Sequence, residues 1–199
     1  MKSPKIIPTE NPKSPNPVLV RVAYPWGENI KENIISKDNI WKFIKSILEK
    51  TCGALNKAQA NKKLAPVTCR FSRMRALHGS DLLGTFIHRC KEADILIFDI
   101  TKHNPNVMLE LGIALGLRQG PDGCIFILQQ VDDDKQPTCK IPSDLTGYFF
   151  TFYKRNSNEI YSLTDEKGFA AALLARIKDK ARNKGHIVDK QIFQTDEDE

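Results

Sequence analysis

The sequence predicts an α/β fold, an open parallel sheet of about five strands with helices on both faces. Three observations carry that expectation. Compact apolar runs of strand length recur, among them Val18-Leu19-Val20-Arg21-Val22-Ala23 and Ile95-Leu96-Ile97-Phe98. Between them lie longer stretches whose apolar residues fall at helical spacing, such as Ile40, Phe43, Ile44, Ile47 and Leu48. The two kinds of segment alternate, which is the pattern of crossover connections between parallel strands.

The elements follow in order. Residues 1–17 hold Pro4, Pro8, Pro12, Pro15 and Pro17 among Lys, Ser and Asn, and read as a flexible arm that neither helix nor ladder accommodates. A first strand runs from Val18 to Ala23 and leads into Tyr24-Pro25-Trp26-Gly27. A helix begins near Asp38, and residues from about Gly53 to Pro66, rich in Lys, Asn, Gln and Ala, read as its end plus an exposed connection. Val67 to Phe71 makes a short strand, and Asp81 to Lys91 an amphipathic helix carrying Leu82, Leu83, Phe86, Ile87 and Cys90. Strand Asp94 to Ile100, helix Val107 to Arg118 and strand Cys124 to Gln130 come next. An aromatic strand from Gly147 to Tyr153 and a closing helix from Phe169 to Lys180 complete the set. The expected organisation is one flavodoxin-like or Rossmann-like domain over 18–183, with 184–199 as a tail ending in four acidic residues.

Composition narrows the function classes. The net charge is +6 although the chain ends Asp196-Glu197-Asp198-Glu199, so the body is more basic than the total. That balance suits an anionic ligand such as a nucleotide, with a solvated lysine-rich surface as the commoner explanation. Five cysteines, Cys52, Cys69, Cys90, Cys124 and Cys139, are scattered singly and read as reduced thiols. The histidines, His78, His88, His103 and His186, are equally dispersed, so no metal is expected. No apolar run approaches the roughly 20 residues of a membrane helix, and the N-terminus lacks the apolar core of a secretory signal. The expected location is therefore cytoplasmic. There is no Gly-rich Walker loop and no G-x-G-x-x-G, so phosphoryl and hydride transfer lack their usual signs.

The most informative stretch is ADILIFDITKHNPNVMLELGIALGL, residues 93–117. It reads as a buried strand, a polar loop and a helix in which Glu110 is the only polar side chain between Val107 and Leu117. Such a helix is expected to be packed on nearly every side, with Gly112 and Gly116 allowing close approach of its neighbours. An unpaired carboxylate in those surroundings is costly to keep charged, so Glu110 is expected at a pocket mouth or with a raised pKa. The bland alternative is a Glu on the exposed stripe of an ordinary helix.

In an open parallel sheet the ligand sits beyond the carboxyl ends of the strands, near the point where strand order reverses. Tyr24-Pro25-Trp26-Gly27, the loop Asp99 to Asn106 and Glu110 should converge there. Asn104 and Asn106 bracket Pro105 at the helix start, where capping is the leading role and sugar binding an addition to it. Asp99 either bonds its own loop or takes part in catalysis. Trp26 either stacks on a base or covers the core edge. Arg70, Arg73 and Arg75 form a phosphate clamp or a solvated surface.

Three matching pieces give the chain a resemblance to the nucleoside 2-deoxyribosyltransferase-like superfamily and its TIR-like relatives. They are Asp99-Ile100-Thr101 after an apolar strand (D-x-T), Asn104-Pro105-Asn106-Val107 (N-P-N-V) and Glu110-Leu111-Gly112-Ile113-Ala114 (E-L-G-x-A). Weaker matches lie at Tyr24-Pro25-Trp26-Gly27 and at Ile141 to Gly147, and the likeness covers roughly Val18 to Lys180. The resemblance implies that Glu110 attacks or supports the anomeric carbon while an N-glycosidic bond breaks; on chemical grounds Asp99 would orient a sugar hydroxyl or assist the departing base. Together with the switch-point reading, this places the expected substrate site at Tyr24, Trp26, Gly27, Asn104, Asn106 and Arg73. NAD is the leading candidate, as substrate rather than cofactor, and a nucleoside or nucleoside monophosphate is next. The resemblance further implies a role in bacterial defence or as a toxin, switched on by homo-oligomerisation or an activating partner. The N-P-N-V loop departs from the acidic loop of deoxyribosyltransferases proper, which separates hydrolysis from transfer as an open question. Two competing readings are a non-catalytic nucleotide-sensing or protein-interaction module and a nucleic-acid-binding adaptor.

Overall fold

A computed structural model describes residues 15–25, 34–74, 81–118, 125–131, 137, 140–145, 147–155 and 161–188. Its elements are β1 (Val18–Ala23), α1 (Ile34–Asn61), β2 (Cys69–Arg73), α2 (Leu82–Glu92), β3 (Ile95–Asp99), α3 (Pro105–Arg118), β4 (Ile125–Gln130), β5 (Phe149–Arg155), β6 (Tyr161–Leu163) and α4 (Glu166–Asn183). They build one sheet in the order β2-β1-β3-β4-β5-β6, parallel from β2 through β5, with β6 antiparallel to β5.

This is the open α/β arrangement that the alternation predicts, with six strands rather than five. The extra strand, Tyr161–Leu163, is three residues long, too short to show a two-residue period. α1 also runs to Asn61, through the stretch expected to be connection. Lysine, glutamine and alanine there are good helix formers, and Leu55 and Gln59 are fully buried one turn apart, so packing continues the helix past Gly53.

The sheet separates two cores. Ile95 and Ile97 of β3 face a core shared with Ile44, Leu48 and Leu55 of α1 and Phe169, Leu173 and Ile177 of α4. Leu96 and Phe98, pointing the other way, meet Phe86 and Cys90 of α2 and Val107, Leu111 and Ala114 of α3. Every residue of β3 is buried, as expected for a central strand covered on both faces.

α3 is not packed on nearly every side. Val107, Leu111 and Ala114 make its buried stripe, but Leu109 is 63% exposed and Leu117 39%. Gly112 and Gly116 are exposed, and a Cβ built on either meets nothing within 4 Å, so neither glycine serves a close approach among the described residues. The apolar composition of α3 therefore reflects two stripes, one buried and one open, which a count of apolar residues does not separate.

The end of the sheet remote from the strand carboxyl termini is tied together by polar contacts. Lys184 Nζ bonds Asp94 Oδ2 at 2.8 Å and the Pro17 carbonyl at 3.0 Å, and the same Asp94 oxygen accepts from the Leu19 N–H at 2.7 Å. His186 Nε2 lies 3.0 Å from the Asn16 carbonyl, and Gln59 donates to the Ile187 carbonyl at 2.8 Å. Residues 15–17 and 184–188 are thus held on the folded body. Among the described residues no helix is long and apolar enough to cross a membrane.

Candidate functional site

Strand order reverses between β1 and β3. From β1 the chain crosses to β2 through α1, on one face; from β3 it crosses to β4 through α3, on the other. The switch point of the sheet therefore lies at the carboxyl ends of β1 and β3, the usual ligand position in such folds. Ala23 pairs with Phe98, which sets Tyr24 beside Asp99 at that rim.

Asp99 is the best-anchored side chain there. By the alternation of β3 it shares a face with Ile95 and Ile97, and it is only 2% exposed. Its Oδ1 accepts from the Thr101 N–H at 3.1 Å and from Thr101 Oγ1 at 2.5 Å, while Oδ2 accepts from the Tyr153 hydroxyl at 2.9 Å. Thr101 Oγ1 in turn accepts from the Gln130 N–H at 2.9 Å. Burial raises the Asp99 pKa, and the bonds from Thr101 and Tyr153 oppose that rise. Burial, and then the charge of Asp99, push the Tyr153 phenol well above its ordinary value.

This network joins β3, β4 and β5 to the loop after β3. The loop is unusual, because Lys102 and His103 have φ of 57° and 48°, two successive non-glycine residues in left-handed backbone. Such conformations cost about 1–3 kcal/mol each and persist where surrounding contacts enforce them. Here the Asp99–Thr101 bonds and the His103 N–H to Ile100 carbonyl bond, at 2.8 Å, hold the turn. His103 Nε2 is buried with no hydrogen-bond partner among the described residues. A buried, unpaired ring nitrogen in a strained loop is a group available to a ligand.

α3 starts from that loop. Asn104 is buried and caps the helix, its Oδ1 accepting from Asn106 N at 3.1 Å and Val107 N at 3.3 Å. Asn106 itself is exposed, and its N–H is one of the two that Asn104 caps. One turn further on, Glu110 lies at the border between the buried and open stripes of α3. Burial pushes its pKa up to about 7, and no described residue donates to or pairs with its carboxylate. An unpartnered carboxylate half protonated near neutral pH is a reactive group, because either form is within reach at little cost.

The remaining residues expected at the site divide into two groups. Arg73, at the carboxyl end of edge strand β2, lies with its guanidinium 5.2 Å from the Trp41 ring centroid and 6.0 Å from that of Tyr24. Tyr24 is itself buried, so its ring forms wall rather than an open stacking surface. Arg70 is exposed further back on the same strand. Trp26, Gly27 and Arg75 lie outside the described residues.

Thr101 and His103, inside the loop expected at the site but not singled out there, complete the rim with Trp41 and Tyr153, which the sequence expectation does not include. Thr101 carried a signal, the D-x-T spacing that sets its hydroxyl against Asp99. Tyr153 carried none, since it reads as one aromatic in an aromatic strand. A cavity of about 390 Å³, lined by Phe126, Tyr148, Phe149, Ala172 and Arg176 among others, lies at the amino ends of β4 and β5. It is at the opposite end of the sheet from Glu110, and its lining holds no carboxylate, thiol or imidazole. Among the described residues no three His, Cys, Asp or Glu side chains gather as a metal site requires. No protein-family model and no curated protein matches this chain.

Proposed function

We propose that this chain cleaves the N-glycosidic bond of a nucleotide-like substrate, with NAD as the leading candidate and a nucleoside or nucleoside monophosphate next. The observation that carries the reading is Glu110, an unpartnered carboxylate raised to about 7 by burial, one turn into the helix that leaves the switch point. As the bond from the anomeric carbon to the base breaks, its electron pair leaves with the base and positive charge develops on the sugar. An ionised Glu110 stabilises that charge or captures the carbon covalently, and water then completes hydrolysis.

Asp99 is assigned a positioning role. Its oxygens are engaged by Thr101 and Tyr153 and it is buried, so it acts by fixing the loop that carries His103 and Asn104. Arg73 is assigned the phosphate side of the substrate, its planar guanidinium suited to bidentate contact. Trp26, from the connection after β1, is assigned the base. Location in the cytoplasm and activation by assembly or by a partner protein extend the same reading.

The test is direct. Purified protein is incubated with NAD, NADP, nucleosides and deoxynucleotides, and released base is identified by chromatography and mass spectrometry. A free base supports the proposal and names the substrate. Binding of a nucleotide without release of base would replace it by the reading of a non-catalytic nucleotide-sensing module.

A further inference from the structure

Cys52 and Cys69 come from different elements, yet their Sγ atoms lie 3.0 Å apart, close enough for one thiol to donate to the other. Cys52 sits in the second half of α1 and is 8% exposed; Cys69 opens edge strand β2 and is partly exposed. Asn56, one helical turn beyond Cys52, fixes the approach. Its Nδ2 donates to the Val67 carbonyl at 3.1 Å and its Oδ1 accepts from the Val67 N–H at 2.8 Å, a two-way clamp two residues before Cys69. The same Nδ2 lies 3.9 Å from Cys52 Sγ. A buried cysteine that only fills space behaves as a small hydrophobe and needs no second sulfur against it.

We infer that Cys52 and Cys69 are a peroxide-responsive pair that closes to a reversible disulfide, pinning α1 to β2. The clamp holds both sulfurs in place before oxidation, and both thiols are free in the reduced chain.

The contact between the two sulfurs favours a single thiolate in the pair, with the remaining thiol donating to it. That thiolate attacks one oxygen of hydrogen peroxide: an S–O bond forms, the O–O bond breaks, and the departing hydroxide takes a proton to leave as water. The other sulfur then attacks the sulfenic acid. An S–S bond forms, the S–O bond breaks, and the hydroxyl leaves with the attacking thiol's proton as a second water. Two thiols lose two electrons and two protons, and one peroxide becomes two waters. A small dithiol reverses the bond by exchange.

The location gives the link a consequence. α1 and β2 also meet further along, where Arg73 lies over Trp41 at the rim of the candidate site. A covalent tie at Cys52–Cys69 fixes one end of this helix–strand pair and so restrains the other. The inference stands on the α1–β2 contact alone and is independent of the reaction proposed for Glu110.

The experiment treats the full chain, in its native state, with hydrogen peroxide, quenches it, alkylates the remaining thiols in denaturant and maps peptides without reduction. The expected product is a Cys52–Cys69 linked peptide with two alkylatable thiols lost, both restored by dithiothreitol. In the single variants Cys69→Ser and Cys52→Ser, or the corresponding alanine variants if these fold poorly, the remaining cysteine of the pair should stop at sulfenic acid in at least one and be captured by a dimedone-type reagent. Retention of both thiols, oxidation to sulfinic acid without a link, or pairing of either cysteine with a different one would overturn the inference.

Discussion

The Tyr153 hydroxyl donates to Asp99 Oδ2 at 2.9 Å from a strand two places away in the sheet. β4 lies between them, and its Gln130 N–H enters the same network through Thr101 Oγ1. Three strands therefore converge on one buried carboxylate, and the loop that starts α3 is built on it. The conformation of the candidate site depends on contacts whose partners are 52 and 54 residues apart in sequence.

Tyr153→Phe should test that dependence. It removes one donor from a buried acid while keeping the ring against Phe43 and Tyr161. The expected cost is about 1–3 kcal/mol in urea unfolding at neutral pH. An unchanged midpoint would mean that Thr101 alone satisfies Asp99.

Asn104→Ala should cost about 1–2 kcal/mol, because the N–H groups of Asn106 and Val107 lose the acceptor that the buried Asn104 supplies. Asn104→Asp, which keeps the acceptor, should recover most of it. Equal losses in both variants would show that Asn104 contributes by packing rather than by capping.

Much of this architecture is legible in the sequence, and the exceptions have physical reasons. β3 announces itself because a strand buried on both faces is a continuous apolar run, β1 by its compact β-branched run bounded by Pro17 and Pro25, and Asn104 because a cap beside Pro105 is a local signal. Glu110 stands out because its helix offers no other charge before Arg118. β6 escapes because three residues hold no period, and the late part of α1 because the packing that extends it is tertiary. The open stripe of α3 escapes for the opposite reason, since leucine and glycine on a surface look the same in sequence as leucine and glycine in a core. The Tyr153–Asp99 bond and the Cys52–Cys69 contact join distant elements, and no spacing rule encodes either.

Glu110→Gln should have a pH-dependent effect on stability. The Glu110 pKa is about 7 in the folded chain against an ordinary 4.5. Between those values the folded state holds a proton that the unfolded state releases, so wild-type stability falls as pH rises from 4.5 through 7. The amide suffers no such loss. The variant should match wild type near pH 4.5 and exceed it by about 1–2 kcal/mol at pH 8, the full shift being discounted for partial exposure. A pH-independent difference in urea midpoint would contradict the raised pKa.

The same ionisation should appear in catalysis. If the charged carboxylate supports the sugar, kcat/KM rises with pH and levels off above about 7, the Glu110 value. A fall through the same range would assign Glu110 instead as the acid that protonates the leaving base.

The most direct measurement compares free-base release by wild type and Glu110→Gln at pH 7.5, first from NAD and then from the nucleosides and deoxynucleotides. The account predicts that wild type releases base with turnover from at least one of them. It also predicts that the variant, folded and still binding that substrate, loses about 10²–10³-fold in kcat, the scale expected when a preorganised stabilising group is removed. A variant that turns over near the wild-type rate, or a wild type that binds these compounds and releases no base from any of them, would contradict it.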